Sequence, residues 1–338
     1  MAPFLLLDPG LNVAAQHFSP LLTTILAAGK FLDSAPVYLT VVVLLYLGFH
    51  PKYGIRLAVL FGFASGLNEA LKLFFHLPRP YWVSLAVKAY SSLPSFGFPS
   101  GGAMCSTVVY GYMAATVRRY WIVLACVVLA GLTVSARIFA GVHFVLDVVG
   151  GLAFGALVLL LFLYFSPKID AFVAGLSPRG RMVGILVLSA LPLLCALPAY
   201  YSLAGWQLPQ EWAATAMSQT GVPINPVQVI TAWQSAGLVL GSLLGYEFLR
   251  RQGGWIPPAS SLHRGTIAVF GVISTLALYG LAESALARAG PLLPAPVVLV
   301  VPALVAGLWF TACVPLLARR GPNVILKTKD GPFLPRQP

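Results

Sequence analysis

Long apolar runs, separated by short polar or Pro- and Gly-containing connections, dominate the chain. Several of these runs reach the roughly 17–25 residues that a helix needs to cross the hydrocarbon core of a membrane. A soluble domain could not bury so many of them. The pattern therefore predicts an all-α fold, a polytopic transmembrane helical bundle, with spans at about 35–49, 55–76, 101–117, 120–138, 144–165, 182–200, 227–248, 265–286 and 295–318.

The same pattern divides the chain into four segments. In the N-terminal segment, 1–33, the apolar stretch Leu21–Phe31 is short for a span and contains a lysine, so we expect an interfacial helix there. A transmembrane core follows at 34–166. Additional C-terminal transmembrane helices occupy 167–320, and a tail follows at 321–338.

Composition supports a membrane protein, since 59% of the residues are hydrophobic and 9% are charged, against roughly 25% charged residues in soluble domains. The formal net charge is +12, which an excess of Lys and Arg on the cytoplasmic side would explain. No basic run is interleaved with aromatic residues, so nucleic acid is not an expected partner. The cysteines lie in apolar runs without a C-x-x-C motif and are interpreted as buried thiols: Cys105, Cys126, Cys195 and Cys313.

The positions of the basic residues predict an orientation. If the turn at 50–54 is cytoplasmic and the connections alternate, most of the 21 Lys and Arg residues lie on the cytoplasmic side. The tail at 321–338 is then cytoplasmic, and the connection at 201–226, which has no Lys or Arg, faces outwards. The outer side holds Lys30, Lys72, Arg79, Lys88, Arg137 and Arg288.

Three of these outer basic residues, Lys72, Arg79 and Arg137, lie at or near predicted helix ends on the same face. Basic residues at that position oppose the usual orientation bias and need a local partner. A bound anion would provide one, because a guanidinium can donate two parallel hydrogen bonds to a phosphate or carboxylate. These positions therefore predict an anion site.

Ser100, Gly101 and Gly102 stand where the third predicted span begins, on the same outer face. A helix N-terminus presents free backbone N–H groups and the positive end of the helix dipole, which favour phosphate. Glycines there allow a ligand to approach the backbone closely. His143 and Asp147 are one helical turn apart at the start of the fifth span. Asp147 could hold the Nδ1 proton of His143 and leave Nε2 free as a nucleophile.

These three stretches resemble the type 2 phosphatidic acid phosphatase superfamily, which is related to vanadium haloperoxidases. The family pattern is K-x6-R-P, then P-S-G-H, then S-R-x5-H-x3-D. Ser135 is displaced from the third motif by one residue, Ala136. The matching residues are Lys72, Arg79 and Pro80, then Pro99, Ser100 and Gly101, then Arg137, His143 and Asp147.

The resemblance implies a membrane lipid phosphatase that forms a phosphohistidine on His143 and uses no metal or cofactor. It also implies that phosphate is held by Lys72, Arg79, Ser100, Gly101 and Arg137. Gly102 is expected to join this phosphate-binding set because a glycine at the helix N-terminus lets the ligand approach the backbone. The expected substrate is a phospholipid or a polyprenyl phosphate or pyrophosphate. Together with the charge distribution, this predicts a bacterial inner-membrane protein whose site is on the extracytoplasmic side.

The chain departs from the family at Gly102, where the pattern has a histidine that protonates the leaving group. Three hypotheses account for this. A pyrophosphate-type substrate needs little general acid catalysis, because phosphate is a good leaving group. Alternatively, His76 supplies the proton. In the third hypothesis the protein is a pseudophosphatase that binds or translocates phospholipid.

Other positions have structural interpretations. We expect Glu69 to pair with Lys72 on one helix face and Asn68 to form an interhelical hydrogen bond. The stretch 209–226 is predicted to form an outer amphipathic helix over the pocket. The spacing Gly237…Gly241…Gly245 predicts tight helix packing or a homodimer.

Overall fold

The structure is a computed structural model that describes residues 8–17, 20–289 and 293–319. The described part of the chain is helical almost throughout and contains no strand, which confirms the predicted all-α class. The predicted tail at 321–338 lies outside the described residues, as do the first seven residues of the N-terminal segment.

The helices follow one another with short connections, except for the longer stretches at 84–100, 221–229 and 252–260. A 3-10 turn, Lys30–Asp33, follows the second helix, and π-helical turns, Leu45–Phe49 and Trp309–Cys313, continue the third and thirteenth. In chain order the helices are α1 (Pro9–Gln16), α2 (Pro20–Gly29), α3 (Ala35–Leu44), α4 (Pro51–Phe75), α5 (Pro80–Val83), α6 (Gly101–Val117), α7 (Tyr120–Phe139), α8 (Val145–Gly175), α9 (Pro178–Ser202), α10 (Gln210–Thr220), α11 (Ile230–Arg251), α12 (Ser261–Ala289), α13 (Ala295–Leu308) and α14 (Val314–Arg319).

Each of the nine predicted spans coincides with a helix, but fewer than nine of these helices are by themselves long and apolar enough to be recognised as membrane spans. Within the described ranges, six helices are long and apolar enough to cross a membrane, or seven if the bent pair Thr24–Asp33 and Ala35–Phe49 is one span. α6 has only 17 residues. α11 packs on α4, α9 and α13, and a helix surrounded by other helices can carry polar residues that a lipid-facing helix cannot. The difference therefore concerns α6 and α11.

The first helix of the N-terminal segment, α1, is held against the rest of the protein by hydrogen bonds. Asn12 of α1 is fully buried. Its side-chain amide donates to the carbonyl oxygens of Ile138 and His143, each at 2.9 Å. The amide of Gln16 likewise donates to Phe139 and Lys88, at 2.9 and 2.8 Å. α1 is thus anchored to the connection between α7 and α8.

The glycine stripe of α11 packs against the protein's own C-terminal helices. A Cβ atom at Gly237 or Gly241 would lie 2.3 or 2.1 Å from the carbonyl oxygen of Val300 or Leu304 in α13. At Gly245 it would lie 2.1 Å from the hydroxyl of Thr311. The prediction of tight packing is therefore correct, and a homodimer would have to use another surface.

Ion pairs between and within helices lie at the end of the bundle that contains the C-terminal end of α8. Asp170 binds Lys52 at 2.6 Å and also Arg56, which connects α8 to α4. Glu247 binds Arg250 at 2.6 Å and Arg251 at 3.0 Å near the C-terminal end of α11. His143 and Asp147, at the N-terminal end of α8, lie at the opposite end of this helix.

Candidate active site

His143 lies in the connection just before α8, and Asp147 lies in the first turn of that helix. Both side chains are buried. One carboxylate oxygen of Asp147, Oδ2, accepts from the backbone N–H of Phe144 at 2.8 Å and lies 3.3 Å from Nδ1 of His143. Because a carboxylate only accepts, this contact assigns the proton to Nδ1 and leaves the lone pair on Nε2. The structure thus brings the predicted pair together.

Arg79 faces the other ring nitrogen of His143. Its Nη1 lies 3.2 Å from Nε2 and also donates to the carbonyl of Val142 at 2.7 Å. Its Nε donates to the carbonyl of Ser95 at 2.6 Å. Nη2 donates to the hydroxyl of Ser95 at 3.1 Å and to the carbonyl of Phe96 at 2.9 Å. Arg79 is completely buried, and its guanidinium joins three connections around the site.

Ser95 is a site residue that sequence reasoning missed. Its hydroxyl accepts from Lys72 Nζ at 3.3 Å and from Arg79 Nη2 at 3.1 Å. It lies in the irregular stretch between α5 and α6, where a lone serine carries no periodic or motif signal. Two of the predicted cations therefore share one neutral acceptor.

The N-terminus of α6 forms another side of the site. Ser100 is the N-cap: its hydroxyl accepts from the backbone N–H of Ala103 at 3.4 Å, and its own N–H donates to the carbonyl of Asp147 at 2.8 Å. A Cβ atom at Gly101 would lie 2.9 Å from Oδ1 of Asn68 and 3.7 Å from Nζ of Lys72. Glycine at 101 therefore allows this helix end to approach α4 closely.

Asn68 and Glu69 of α4 join this region to other helices. The side-chain amide of Asn68 donates to the carbonyl of Pro99 at 3.1 Å, as expected for an interhelical hydrogen bond. Glu69 differs from its expected pairing with Lys72. Its carboxylate accepts from the backbone N–H groups of Thr231 and Ala232, at 3.1 and 2.6 Å. Glu69 thus caps the N-terminus of α11, where a negative charge is favourable.

Arg137 is buried near the end of α7 and reaches the site through an acidic residue. Its Nη1 binds Oδ2 of Asp33 at 2.8 Å. The other oxygen, Oδ1, accepts from the hydroxyl of Tyr38 at 3.2 Å. Asp33 lies on the wall of the cavity described below, whereas Arg137 lies behind it. Direct phosphate binding by Arg137 would require this ion pair to rearrange.

His76, the residue that the second hypothesis needs as a proton donor, does not line the cavity with the three motifs. It caps the C-terminus of α4 in a left-handed backbone conformation, with a φ of 38°. Its side chain is exposed, and Nδ1 lies 3.1 Å from the carbonyl of Phe74. It is absent from the cavity wall. The turn that ends α4 directs its side chain away from the three motifs.

A cavity of about 260 Å³ connects the polar site to an apolar region. Five of the predicted residues line its polar end, together with Asp33, Asn68 and Ser95: Lys72, Arg79, Gly101, Gly102 and His143. Ser100, Arg137 and Asp147 lie behind this surface. Helices α3, α4, α11, α12 and α13 form the other end, called here the apolar limb, which includes Ala35, Pro36, Leu39, Phe61, Leu238, Tyr279, Ala303 and Ala306. Four polar residues of α4 and α11 also line the cavity: Ser65, Thr231, Gln234 and Ser235.

The described residues contain no group of three His, Cys, Asp or Glu side chains arranged to hold a metal ion. The cysteines in this part of the chain are free thiols. The groups that converge at the polar end are cations, hydroxyls, backbone N–H groups, one oriented imidazole and the carboxyl group of Asp33, which is itself paired with Arg137. Such a set suits a phosphate or another oxyanion.

Residues 53–170, which contain all three motifs, match the family model of the PAP2 superfamily. This segment is a PAP2 domain. It begins in α4 and ends in α8. Asp33, α1 to α3 and α9 to α14 lie outside the matched residues, although several of these elements line the same cavity.

Two relatives align with part of the chain. Lipid phosphate phosphatase delta from Arabidopsis thaliana is 26% identical over 47% of this chain and 42% of its own length. Phosphatidylglycerophosphatase B from Bacillus subtilis (strain 168) is 31% identical over 35% of this chain and 61% of its own length. The alignments therefore span about half the length of each relative.

A crystal structure of a transmembrane PAP2-type phosphatidylglycerolphosphate phosphatase from Bacillus subtilis is 26% identical to this chain. The match covers 48% of this chain and 85% of that one, with a TM-score of 0.42. The apolar helices and the family match together indicate an integral membrane protein with a PAP2 domain.

The PAP2 domain of this chain and its other helices meet at Glu69, Thr231 and Ala232. The predicted amphipathic helix in 209–226 is α10, which packs on α5 beside the site. Gln219 of α10 donates to the carbonyls of Tyr81 and Ser84, at 3.2 and 3.1 Å. The elements outside the PAP2 domain thus support the stretch that carries Arg79 and Ser95.

Proposed function

We propose that this protein is a membrane lipid phosphate phosphatase that acts through a phosphohistidine on His143. The observation that carries the proposal is the orientation of this side chain. Asp147 fixes the proton on Nδ1, and Nε2 faces Arg79 in a cavity whose far end is apolar. A binding protein for phosphate would need the cations, but it would gain nothing from an oriented imidazole nucleophile.

In this proposal the phosphate of the substrate binds between Lys72, Arg79 and the N-terminus of α6. Three of the five Arg79 donors bind backbone carbonyls and hold the guanidinium in place. The other two contact the hydroxyl of Ser95 and Nε2 of His143, and phosphate oxygens can take these two. The exchange frees the Nε2 lone pair to attack phosphorus. Donors fixed in advance are effective at stabilising charge that develops in a transition state.

The apolar limb would hold the hydrocarbon part of the substrate. It leads from the polar end between α3 and α11 to α13, so a chain could extend into the bundle while its phosphate stays beside His143. By the distribution of Lys and Arg, we propose an extracytoplasmic site in a bacterial inner membrane. A long prenyl or acyl chain fits this arrangement better than a water-soluble phosphate ester.

Among lipid phosphates, we propose pyrophosphate-type substrates, such as a polyprenyl pyrophosphate, as the preferred class. Gly102 contributes no acid to the leaving group. A phosphate group leaves readily without protonation, whereas an alkoxide does not, and general acid catalysis is typically worth about 10²–10⁴-fold in rate. Lipid monophosphates are then slower substrates than pyrophosphates.

The decisive experiment measures phosphate release by the purified protein in detergent from a polyprenyl pyrophosphate and from phosphatidic acid. We expect faster release from the pyrophosphate. His143→Ala should abolish release from both substrates, and a phosphoenzyme that is labile in acid should be trapped only with His143 present. His76→Ala is the matched control, because His76 is exposed and outside the cavity, and it should keep the wild-type rate.

Other outcomes would change the proposal. Equal activity of His143→Ala and wild type would exclude the phosphohistidine. If neither protein released phosphate but both bound or moved the lipid, the pseudophosphatase hypothesis would replace hydrolysis. If phosphatidic acid were hydrolysed as fast as the pyrophosphate, the proposed preference for pyrophosphates would be wrong, but the proposed phosphatase activity would stand.

A further inference from the structure

Asp33 occupies the space next to Gly102, the position at which the chain departs from the family pattern. A Cβ atom at Gly102 would lie 2.6 Å from the carboxyl carbon of Asp33 and 2.7 and 2.8 Å from its two oxygens. These are distances at which something must move. Any side chain at 102 would therefore have to displace the carboxyl group of Asp33.

The carboxyl group of Asp33 is held in this place from two sides. Arg137 binds one oxygen at 2.8 Å, and the hydroxyl of Tyr38 binds the other at 3.2 Å. The side chain is only 15% exposed. It lies on the wall of the cavity that also contains His143 and Lys72. These contacts thus hold the carboxyl group of Asp33 at the wall of the cavity.

The position also falls where the leaving group of the proposed reaction would lie. The residues that follow Asp33, namely Ala35, Pro36 and Leu39, form the beginning of the apolar limb. A lipid whose phosphate is beside His143 and whose chain is in this limb must pass Asp33. The oxygen that links phosphate to lipid lies between those two parts of the substrate.

We propose that Asp33 is the catalytic acid for the leaving group and does from the 3-10 turn before α3 what the histidine of the family pattern does from position 102. The proposal rests on the phosphohistidine reaction of the proposed function, and it makes the difference between lipid pyrophosphates and monophosphates smaller, because Asp33 supplies the proton that Gly102 cannot supply. It adds a residue outside the PAP2 domain to the active site. Glycine at position 102 then leaves the space that the carboxyl group of Asp33, from another element, occupies.

The reaction balances in two steps. Nε2 of His143 forms a bond to phosphorus while the bond from phosphorus to the lipid oxygen breaks, and the proton of the Asp33 carboxyl goes to that oxygen. Water then attacks phosphorus, its proton goes to the Asp33 carboxylate, and the bond to Nε2 breaks. A lipid monophosphate gives lipid alcohol and inorganic phosphate, a lipid pyrophosphate gives lipid monophosphate and inorganic phosphate, and in both cases Asp33 is protonated again. One group acts as acid and then as base, as the two half-reactions require.

Arg137 can change its partner from Asp33 to the substrate phosphate during this cycle. It is a predicted phosphate ligand, and without substrate it binds the Asp33 carboxylate. A phosphate that takes over Arg137 leaves the carboxylate without its cation and beside a group of like charge. Substrate binding therefore frees the Asp33 carboxyl group from its ion pair with Arg137.

The first test compares two soluble esters: a short-chain alkyl phosphate, whose alkoxide must be protonated, and 4-nitrophenyl phosphate, whose phenolate leaves without a proton. Asp33→Asn keeps the shape of the side chain but cannot transfer the proton. It should slow the alkyl ester by roughly 10²–10⁴-fold, the usual range for general acid catalysis, and the nitrophenyl ester by no more than about tenfold. The ratio of the two rates does not depend on how much of the protein is folded.

Asp170→Asn is the matched control. Asp170 also pairs with basic side chains, Lys52 and Arg56, but it lies near the other end of α8. Its replacement removes an interhelical ion pair without touching the cavity that contains His143. The ratio of the two rates should stay at the wild-type value in this variant.

The second test moves the acid back to position 102. Gly102→His alone should be slow on the alkyl ester, because Asp33 occupies the space. The double variant Asp33→Ala with Gly102→His should hydrolyse the alkyl ester at least about tenfold faster than Asp33→Ala alone, since the imidazole can then protonate the leaving group. No recovery in the double variant would count against a shared role of the two positions.

Three results would overturn the proposal. An equal loss on both esters in Asp33→Asn would show that Asp33 only positions Arg137. A gain on both would show that its carboxylate competes with phosphate. An unchanged ratio would show that the proton comes from another group. Failure of the proposed function is distinguishable, because wild type and His143→Ala would then release phosphate equally.

Discussion

At the scale of single residues, Arg79 makes more hydrogen bonds than any other described side chain of the site. All five of its N–H donors have partners, and the side chain is completely buried. A guanidinium can do this because its donors form a rigid planar fork. A lysine ammonium has three donors at a single point. The difference predicts that even a change which preserves the charge is damaging here.

Arg79→Lys should lower both the thermal stability and the affinity for inorganic phosphate. At least two acceptors lose their donor, and a hydrogen bond to a charged group contributes roughly 1.5–3 kcal/mol. A loss of about 1.4 kcal/mol corresponds to a tenfold change in affinity. Thermal unfolding in detergent, with and without phosphate, measures both effects. Arg179→Lys, at an exposed position in α9, should change neither the unfolding temperature nor the phosphate affinity. Equal changes in the two variants would contradict the proposed role of the Arg79 guanidinium.

The two histidines of the motif region show which side-chain positions the local sequence can predict and which it cannot. His143 is distinguished by Asp147 at i+4, and the structure joins them. His76 has no such partner. It was expected near the site only because it lies between Lys72 and Arg79 in the sequence. The left-handed turn that ends α4 decides otherwise. Such a turn depends on how the following stretch packs, which the sequence of α4 does not specify.

At the scale of secondary-structure elements, the contact between α11 and α13 depends on the absence of side chains. Gly237 and Gly241 lie against backbone carbonyls of α13, at distances that no Cβ atom could tolerate. The same helices contribute Leu238, Ala303 and Ala306 to the apolar limb. Their separation therefore determines the width of this part of the cavity.

Gly241→Ala should destabilise the protein, because the added methyl group would lie 2.1 Å from the carbonyl oxygen of Leu304 and the helices would have to separate. Overpacking of this kind typically costs about 1–3 kcal/mol. Gly280→Ala in α12 is the matched control, since nothing lies within 4 Å of the added atom. There a gain of roughly 0.5–1 kcal/mol is expected from helix propensity. Thermal unfolding in detergent measures both, and an equal response would contradict the close contact.

At the scale of the whole molecule, the PAP2 domain and the helices that follow it form one packed structure. α4 packs on both α9 and α11, and Glu69 caps α11 from within the PAP2 domain. The apolar limb is built from both parts. The division into a core at 34–166 and an addition at 167–320 therefore describes the sequence pattern, whereas the proposed substrate cavity spans the two.

Glu69→Ala should destabilise this junction. It removes the acceptor of two backbone N–H groups and a negative charge at a helix N-terminus, effects worth about 0.5–2 kcal/mol for a cap. A lower unfolding temperature in detergent is the expected result. Glu283→Ala, at an exposed position of α12, is the control and should change the unfolding temperature little. No difference between the two would show that Glu69 does not connect the two parts.

The sequence by itself determined the helical class, the approximate positions of the helices and the residues of the three motifs. These features are local: apolar length, a proline or serine at a helix start, and a His–Asp pair one turn apart all lie within short stretches. The family resemblance rested on the same stretches, and it located the departure at Gly102.

Only the tertiary structure decided what lies beside these residues. Asp33 next to Gly102, Ser95 between two cations, Asn12 on the carbonyl of His143 and Glu69 on α11 all join residues from different elements. The physical reason is that such contacts depend on how each helix is rotated and how closely it approaches its neighbours. Apolar periodicity indicates that a helix is buried, but it does not say which side chain fills the space left by a glycine.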